Sequence, residues 1–171
     1  MIVAPASPGD AAVISTLHMW AERETYSTIF PTLLTNVSDL WGRIRIWEIA
    51  VAERRSEADC LLARDDAGSP VGFLAGRAAG CGAAARLSSI YVLRAHQRRG
   101  AGRRLLTAFA GAADAEGSET IAGYAPACNV GAREFVAWSG VLETSYDDLG
   151  CGAGHVRMVA YRWASVQRLL A

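Results

Sequence analysis

Residues 87–106 read LSSIYVLRAHQRRGAGRRLL, and this stretch decides the fold of the chain. It begins with a short apolar segment of β-forming residues at 90–92, crosses a basic loop and passes Gly100 and Gly102. It then becomes helical, because its apolar residues recur at helical spacing from Leu105 onward. The pattern predicts a strand, a tight turn and the start of a helix. The free N–H groups of such a helix start suit an anion such as a phosphate.

The charges of the predicted helix oppose its dipole. Asp114 and Glu116 lie in its last turn, whereas a helix dipole favours acids at the N-terminus and bases at the C-terminus by roughly 0.3–1 kcal/mol each. Arg94 precedes the turn, and basic residues crowd the first turn: Arg98, Arg99, Arg103 and Arg104. A sequence that breaks a local rule often does so for function. The arrangement indicates an anion site, with a solvated basic face as the alternative.

Two common phosphate-binding motifs do not fit this stretch. The P-loop requires a Gly-Lys pair, which is absent, and the dinucleotide motif requires a third glycine where Leu105 stands. The spacing Gln97-x-x-Gly100-x-Gly102 does fit a known signature. With it the chain resembles the GNAT superfamily of acyl-CoA-dependent N-acetyltransferases, whose Q/R-x-x-G-x-G/A motif follows a strand.

The resemblance implies acetyl-CoA as a co-substrate and no metal. The turn would hold the CoA pyrophosphate by backbone N–H groups, and the preceding strand would pair with the pantetheine arm. The N–H of Val92 is the best candidate donor to the thioester oxygen in the transition state. Asn129 would hydrogen-bond the pantetheine region, or cap a helix. The implied cofactor-binding residues are Ile90, Tyr91, Val92, Gln97, Arg98, Arg99, Gly100, Ala101, Gly102, Arg103 and Asn129.

Composition favours one ordinary globular domain over residues 1–171, with 51% apolar and 20% charged residues. Seventeen basic residues balance seventeen acidic ones, so no global field favours nucleic acid or an anionic membrane. No apolar run is long enough to span a bilayer, and the N-terminus does not resemble a signal peptide. The four cysteines lack metal-binding spacing, which predicts reduced, mostly buried thiols in a cytoplasmic protein. The abundance of Ala, Gly and Arg suggests a bacterial genome.

The order of predicted elements is strand, two helices, three strands, helix, strand, helix and two strands. We predict strands at 2–6, 59–63, 71–75, 90–92 and 120–125, and a hairpin of 142–146 with 155–163 that turns at 150–154. Helices are predicted after Asp10, after a Ser38 cap that follows a break at Pro31, after Gly100, and over 130–139. This order matches the family layout: an α/β (α+β) fold whose mixed, mostly antiparallel sheet of about seven strands is flanked by four helices.

Aromatic residues are concentrated in the first third of the chain. Trp20, Tyr26 and Phe30 precede Pro31, and they either line an acceptor pocket or belong to the core of a helical pair. In the family, an aromatic-rich loop after the first helix often borders the acceptor. The resemblance therefore makes these three residues candidate substrate contacts.

The chain departs from the family at both usual proton-handling positions. Val136 stands where the late helix, which begins at Asn129, usually carries a tyrosine that protonates the departing thiolate. Val141 replaces the usual phenylalanine, and residues 87–89 offer no glutamate for the amine proton. Four side chains are candidate substitutes: Tyr124, Ser139, Glu24 and His155.

These observations predict an N-acetyltransferase that acylates a primary amine, most simply on a small molecule, by direct attack in a ternary complex. The neutral net charge and the aromatic first third favour a compact, partly apolar acceptor. One alternative is an N-terminal acetyltransferase for proteins or peptides. Another is a CoA-binding sensor without catalysis. Relatives of this fold often pair, so a homodimer is compatible with the sequence.

Overall fold

One sheet organises the chain. The computed structural model describes residues 1–27, 40–53, 59–79, 83–139, 142–151 and 154–170. Within them, seven strands join in the order β1-β2-β3-β4-β5-β7-β6. β4 and β5 are parallel, and every other neighbouring pair is antiparallel. The strands are β1 Ile2–Pro5, β2 Cys60–Arg64, β3 Pro70–Arg77, β4 Ala85–Val92, β5 Ile121–Pro126, β6 Leu142–Cys151 and β7 Gly154–Trp163.

Five helices accompany this sheet in the described residues. Four of them correspond to the predicted helices, and the fifth is a single C-terminal turn that sequence reasoning did not predict. The helices are α1 Ala11–Tyr26, α2 Leu40–Ala52, α3 Ala101–Ala115, α4 Val130–Trp138 and α5 Gln167–Leu170. The mixed, mostly antiparallel α/β class predicted from the sequence is confirmed. None of the helices in the described part of the chain is both long and apolar enough to cross a membrane.

The sheet separates two apolar cores. β3 shows this directly, because Phe73 packs toward α1 and α2 while its neighbour Leu74 packs toward α3, and both are fully buried. Strand residues alternate between faces, so a strand covered on both sides reads as a continuous apolar run. α3 contributes Leu105 and Phe109 to the second core. Each such buried side chain stabilises the fold by about 1.5–3 kcal/mol.

Some element boundaries differ from prediction. β6 continues to Cys151 and β7 begins at Gly154, so most of the segment predicted as a glycine-rich turn lies in the ladder. Glycine retains its backbone donor and acceptor, and pairing satisfies both even where no side chain packs. The predicted break at Pro31 and the Ser38 cap lie outside the described residues. Cys60 is buried as expected, whereas Cys128 is exposed because it lies in the turn before α4.

Candidate active site

The two parallel strands separate at the centre of the sheet. β4 and β5 pair over only three positions, from Ala85 with Ile121 to Leu87 with Gly123. Both strands continue beyond that point, yet the described residues show no further pairing between them. We call the gap between residues 88–92 and residues 124–126 the wedge. An unpaired strand edge offers backbone donors and acceptors to an extended ligand.

The N–H of Val92 points into the wedge. On its other edge β4 stays paired with β3 up to Val92, and the next N–H, that of Leu93, donates to the Val71 carbonyl at 3.0 Å. Backbone N–H groups alternate in direction along an antiparallel strand, so those of Val92 and Ile90 face away from β3. The Val92 carbonyl also faces that way, since it accepts from Nε2 of Gln97 at 2.9 Å. The side chain of Gln97, a predicted CoA contact, thus hydrogen-bonds the end of β4 and shapes the loop. Its contact with CoA stays a prediction.

A β-bulge lies at the closed end of the wedge. The pairing of β3 with β4 steps from Ala75 opposite Ser89 to Gly76 opposite Leu87, which leaves Ser88 as the extra residue. A bulge locally twists a strand and changes its alternation. It therefore lies where β4 leaves β5, and it accounts in part for the divergence of the two strands.

The loop after β4 forms a cluster of unpaired amides. Gly100 adopts a left-handed conformation with φ of 87°, and α3 begins when the N–H of Arg104 donates to the Gly100 carbonyl. The N–H groups of residues 98–103, which we call the amide cluster, donate to no acceptor in the described structure. A Cβ on Gly100 would meet no atom within 4 Å. The loop therefore presents unpaired donors beside open space, which suits the pyrophosphate of CoA.

The second glycine of the motif serves packing. A Cβ on Gly102 would lie 3.1 Å from a ring carbon of Phe135 in α4. Gly102 lets α3 and α4 approach closely, whereas Gly100 supplies the backbone conformation and the open space. The two glycines of one signature thus have separable roles.

Two of the predicted anion-binding arginines contact α4. Nη2 of Arg98 lies 2.6 Å from Oε2 of Glu134, and the guanidinium carbon of Arg103 lies 5.6 Å from the ring centroid of Trp138. Arg98 also has φ of 59°, an uncommon conformation for a residue with a side chain. These contacts bind the loop to α4. Arg99, within the amide cluster, is exposed, and its contact with CoA stays a prediction.

Three polar groups bridge the mouth of the wedge, and we call them the hydroxyl bridge. The phenol of Tyr91, on β4, interacts with the phenol oxygen of Tyr26, at the end of α1. Asn129, the residue before α4, donates to the same oxygen from Nδ2 at 2.9 Å. Its Oδ1 accepts from the N–H of Ala132 at 3.0 Å and caps α4. The capping alternative for Asn129 is therefore observed, and its CoA contact stays a prediction.

The phenols of the hydroxyl bridge are protonated at neutral pH. Burial raises the pKa of Tyr26, and the hydrogen bonds from Asn129 and Tyr91 offset part of that rise. Burial raises the pKa of Tyr91 even further, with the nearby Tyr26 and Glu22 adding to it. The hydroxyl groups of Tyr26 and Tyr91 therefore keep their protons.

A charged cluster adjoins the hydroxyl bridge, and sequence reasoning overlooked it. Nε2 of His18 lies 3.1 Å from Oε1 of Glu22, and Nη1 of Arg43 lies 2.7 Å from Oε2 of the same carboxylate. Burial raises the pKa of Glu22, but the hydrogen bonds and charges of His18 and Arg43 outweigh it and lower the pKa overall. The ring of His18 packs 5.0 Å from that of Tyr91. The i, i+4 spacing of His18 and Glu22 on one helix was the available signal.

The predicted substitute acids and bases lie in varied places. Glu24 accepts from the Arg94 N–H at 2.8 Å, which fastens α1 to the loop after β4. The Ser139 hydroxyl donates to the Val136 carbonyl and accepts from Trp163. Tyr124 is 52% exposed on β5. For His155 the structure describes only the backbone, which lies in β7.

Other predicted positions complete the site. Val136 is buried in the core beside α3, so the position of the family tyrosine carries no proton donor. Trp20 is 52% exposed on α1, and its contact with an acceptor stays a prediction. Phe30 and Val141 lie outside the described residues. The described side chains include no group of three or more His, Cys, Asp or Glu that could hold a metal ion.

Comparison with a family model identifies the family of the chain. The model for the acetyltransferase (GNAT) family matches residues 17–140, which include the second half of α1, the wedge, the amide cluster and α4. A comparison with curated protein sequences finds no significant match.

Solved structures share the fold at low identity. A ribosomal-protein-alanine N-acetyltransferase from Brucella melitensis is 19% identical, over 96% of this chain and 99% of its own, with a TM-score of 0.69. The structure of yncA from Salmonella typhimurium with its cofactor acetyl-CoA is 18% identical, over 96% and 93%, with a TM-score of 0.67. The paia N-acetyltransferase from Thermoplasma acidophilum, in complex with coenzyme A, is 15% identical, over 92% and 96%, with a TM-score of 0.66.

Proposed function

This chain belongs to the GNAT acetyltransferase family, and we propose that it transfers the acetyl group of acetyl-CoA to a primary amine of a small molecule. Membership of this family supports acetyl transfer that depends on acetyl-CoA. Members of the family use acetyl-CoA as a co-substrate without a metal.

One observation carries the proposal: the unpaired edge of β4 leads directly into the amide cluster. The wedge-facing N–H groups of Ile90 and Val92 can pair with an extended acyl arm. The amides of residues 98–103 can bind the diphosphate at its other end. Gly100 keeps the space in front of those amides open. An extended chain that ends in a diphosphate fits this succession, as the pantetheine arm of CoA does.

The chain contributes chiefly by position and by hydrogen bonding. Val92 would donate its N–H to the thioester oxygen as charge develops there, and one such donor is worth about 2.7–4 kcal/mol. Holding the amine and the acyl group together contributes up to about 7–11 kcal/mol. Acetyl-CoA supplies the activated acyl group. The amine would attack it directly in a ternary complex, entering from the face of the sheet that α1 and α2 cover.

The side chains beside the wedge support a small acceptor. His18, Tyr26 and Tyr91 form a compact set of aromatic and polar groups on the α1 side of the sheet. The formal net charge of zero provides no long-range field for a highly charged polymer. A compact, partly apolar amine suits both features.

The experiment is a panel of acceptors with acetyl-CoA as donor. Purified protein is mixed with amino acid derivatives, polyamines, aminoglycosides and peptides, and CoA thiol release is followed together with the mass of each acceptor. We expect amine-dependent thiol release and one added acetyl group on a small primary amine. Acetylation of peptide N-termini alone would contradict the proposed acceptor. CoA binding by calorimetry without thiol release against any acceptor would indicate a sensor instead of an enzyme.

A further inference from the structure

The structure points to the kind of small amine that the proposed acetyl transfer uses. We infer that Arg43 binds a carboxylate of the acceptor, so that the acceptor is a free amino acid or another small amino carboxylate. The inference rests on the proposed function and narrows its substrate class. Arg43 belongs to the charged cluster beside the wedge, together with His18 and Glu22.

The charged cluster lies on the side of the sheet from which the acceptor would enter. His18, Glu22 and Tyr26 recur at every fourth residue of α1, so they share one face of that helix. Glu22 precedes Tyr26 by one turn, about 6 Å along the helix axis. Tyr26 accepts a hydrogen bond from Asn129 at the mouth of the wedge. Arg43, on α2, is paired with Glu22, and its guanidinium therefore lies near that mouth.

His18 connects the charged cluster with β4. Its ring packs 5.0 Å from the ring of Tyr91, which immediately precedes Val92 on that strand. Nε2 of His18 lies 3.1 Å from one oxygen of Glu22, and Nη1 of Arg43 lies 2.7 Å from the other. These contacts run without a break from the strand that would hold the acyl group to the guanidinium. A small acceptor beside this strand would thus have Arg43 on its far side.

Arg43 has hydrogen-bond donors left over for a ligand. A guanidinium carries five N–H groups, and within the described residues that of Arg43 has one hydrogen-bond partner, Glu22. The side chain of Arg43 is 34% exposed, so its other donors are open to a ligand. Both oxygens of Glu22, in contrast, already have partners in His18 and Arg43. The cluster offers donors more than acceptors, which suits an anionic group of the ligand.

A carboxylate fits these donors. The planar fork of a guanidinium binds the two oxygens of a carboxylate through parallel hydrogen bonds. Glu22 holds one side of the Arg43 guanidinium and so fixes the plane in which its other donors face the ligand. Glu22 also neutralises part of the positive charge, so the attraction for a carboxylate depends on direct hydrogen bonds and acts at short range.

This contact would separate the classes of acceptor. In a peptide, the carboxylate next to the N-terminal amine has become an amide, which cannot form the charged pair. Polyamines and aminoglycosides carry no carboxylate and would bring further positive charge beside Arg43, which disfavours them. A free amino acid keeps the amine and the carboxylate within one small molecule.

The test compares acceptors that share a side chain and differ at the carboxylate. Each amino acid of a panel is assayed beside its amide and its decarboxylated amine, with acetyl-CoA as donor and CoA thiol release as the measurement. We expect kcat/KM to be about tenfold or more higher for the amino acid, in the range of a charge-assisted hydrogen bond. Equal use of an amino acid and its amide would overturn the inference. This comparison uses the wild-type protein, so it does not depend on the folding of a variant.

Arg43→Gln tests the residue itself, since it removes the charge and keeps a polar side chain. We expect the preference for the amino acid over its amide to fall about tenfold, chiefly through KM of the acceptor. The two acceptors differ in the pKa of their amines, but this difference is the same for both proteins and cancels in the ratio. Any loss of folded protein cancels as well. A preference that survives in Arg43→Gln would overturn the assignment.

Arg45→Gln is the matched control. Arg45 is exposed on the same helix and forms no ion pair within the described residues. This variant should keep the wild-type preference for the amino acid. An equal loss of preference in both variants would mean that the overall charge of α2 is responsible, which would contradict a direct contact with Arg43.

Failure of this inference can be told from failure of the proposed function. If the wild-type protein acetylates small amines without a carboxylate as well as it acetylates amino acids, the acetyl transfer stands and the Arg43 role is overturned. If it acetylates only peptide N-termini, or releases no thiol with any acceptor, the proposed function fails and the Arg43 role fails with it.

Discussion

The two halves of the candidate site are built from the chain in opposite ways. The amide cluster is one continuous segment, in which residues 98–103 supply every backbone donor. The hydroxyl bridge gathers Tyr26, Tyr91 and Asn129 from three elements, and two of these partners are 103 residues apart. An anion site made of backbone amides needs only a local conformation, so a short motif can specify it. A site made of side chains from several elements depends on how the whole fold brings those elements together.

The largest expected effect concerns the amide cluster, which we call the local half of the site because one continuous segment supplies it. Gly100→Trp places a large side chain in the open space before the amide cluster and forces it onto a left-handed backbone. We expect calorimetry to show CoA binding weakened roughly 100-fold or more, about 2.7 kcal/mol. Unchanged affinity would contradict the assignment of this loop.

Gly68→Trp is the matched control for that variant. Gly68 lies between β2 and β3, and its φ of 83° is close to the 87° of Gly100. A Cβ at Gly68 also meets no atom within 4 Å. Both substitutions therefore impose the same kind of backbone strain, and only the one at Gly100 should weaken CoA binding. An equal loss in both variants would mean that strain, and not the blocked space, is responsible.

The sequence predicted the backbone conformation of the local half. The spacing of Gln97, Gly100 and Gly102 identified the loop, because a tight turn into a helix needs a residue that tolerates positive φ. The fold class was also predictable, since strand and helix periodicities are local signals and their order matches one family. The sequence could not separate the roles of the two glycines. That difference depends on Phe135, a residue of another helix.

The hydroxyl bridge, which we call the distributed half of the site because its residues come from three elements, was harder to predict. The sequence makes Tyr26 a candidate acceptor contact, but its bond to Asn129 and its place beside Tyr91 exist only after α1 packs on the sheet. Of the predicted substitute acids, Glu24 and Ser139 hold loop and helix ends together. The type of a side chain indicates which chemistry it can perform. Its partners decide whether it is available for that chemistry, and a single sequence does not give those partners.

The next prediction tests whether the distributed half stabilises the fold. Glu22 is hydrogen-bonded to His18 and Arg43, and its pKa lies below its ordinary value of 4.5. A carboxylate whose pKa is lower in the folded state stabilises the fold above its unfolded pKa and loses that contribution as the pH falls. We expect Glu22→Gln to reduce the free energy of unfolding by about 1–2 kcal/mol at pH 7. The difference from wild type should shrink as the pH falls below 4.5.

Urea denaturation at several pH values measures this difference. Glu119→Gln is the control, because Glu119 is exposed and takes part in no ion pair within the described residues. It should leave the unfolding free energy nearly unchanged at every pH. A Glu22→Gln deficit that stays constant from pH 7 to pH 3 would show that the loss comes from packing and not from the carboxylate charge.

The smallest effect concerns a feature of the local half that its motif does not reveal. Arg98 has φ of 59°, a conformation that favours glycine, and its exposed ion pair with Glu134 is worth at most about 1 kcal/mol. Both Arg98→Gly and Arg98→Ala remove the ion pair, but only glycine relieves the backbone. We therefore expect Arg98→Gly to be more stable than Arg98→Ala by roughly 0.5–1 kcal/mol, measured by urea denaturation.

Arg99 adjoins Arg98 but lacks a positive φ, so at Arg99 the order of the two variants should reverse. If the alanine variant were the more stable one at both positions, the strain at Arg98 would be absent in solution.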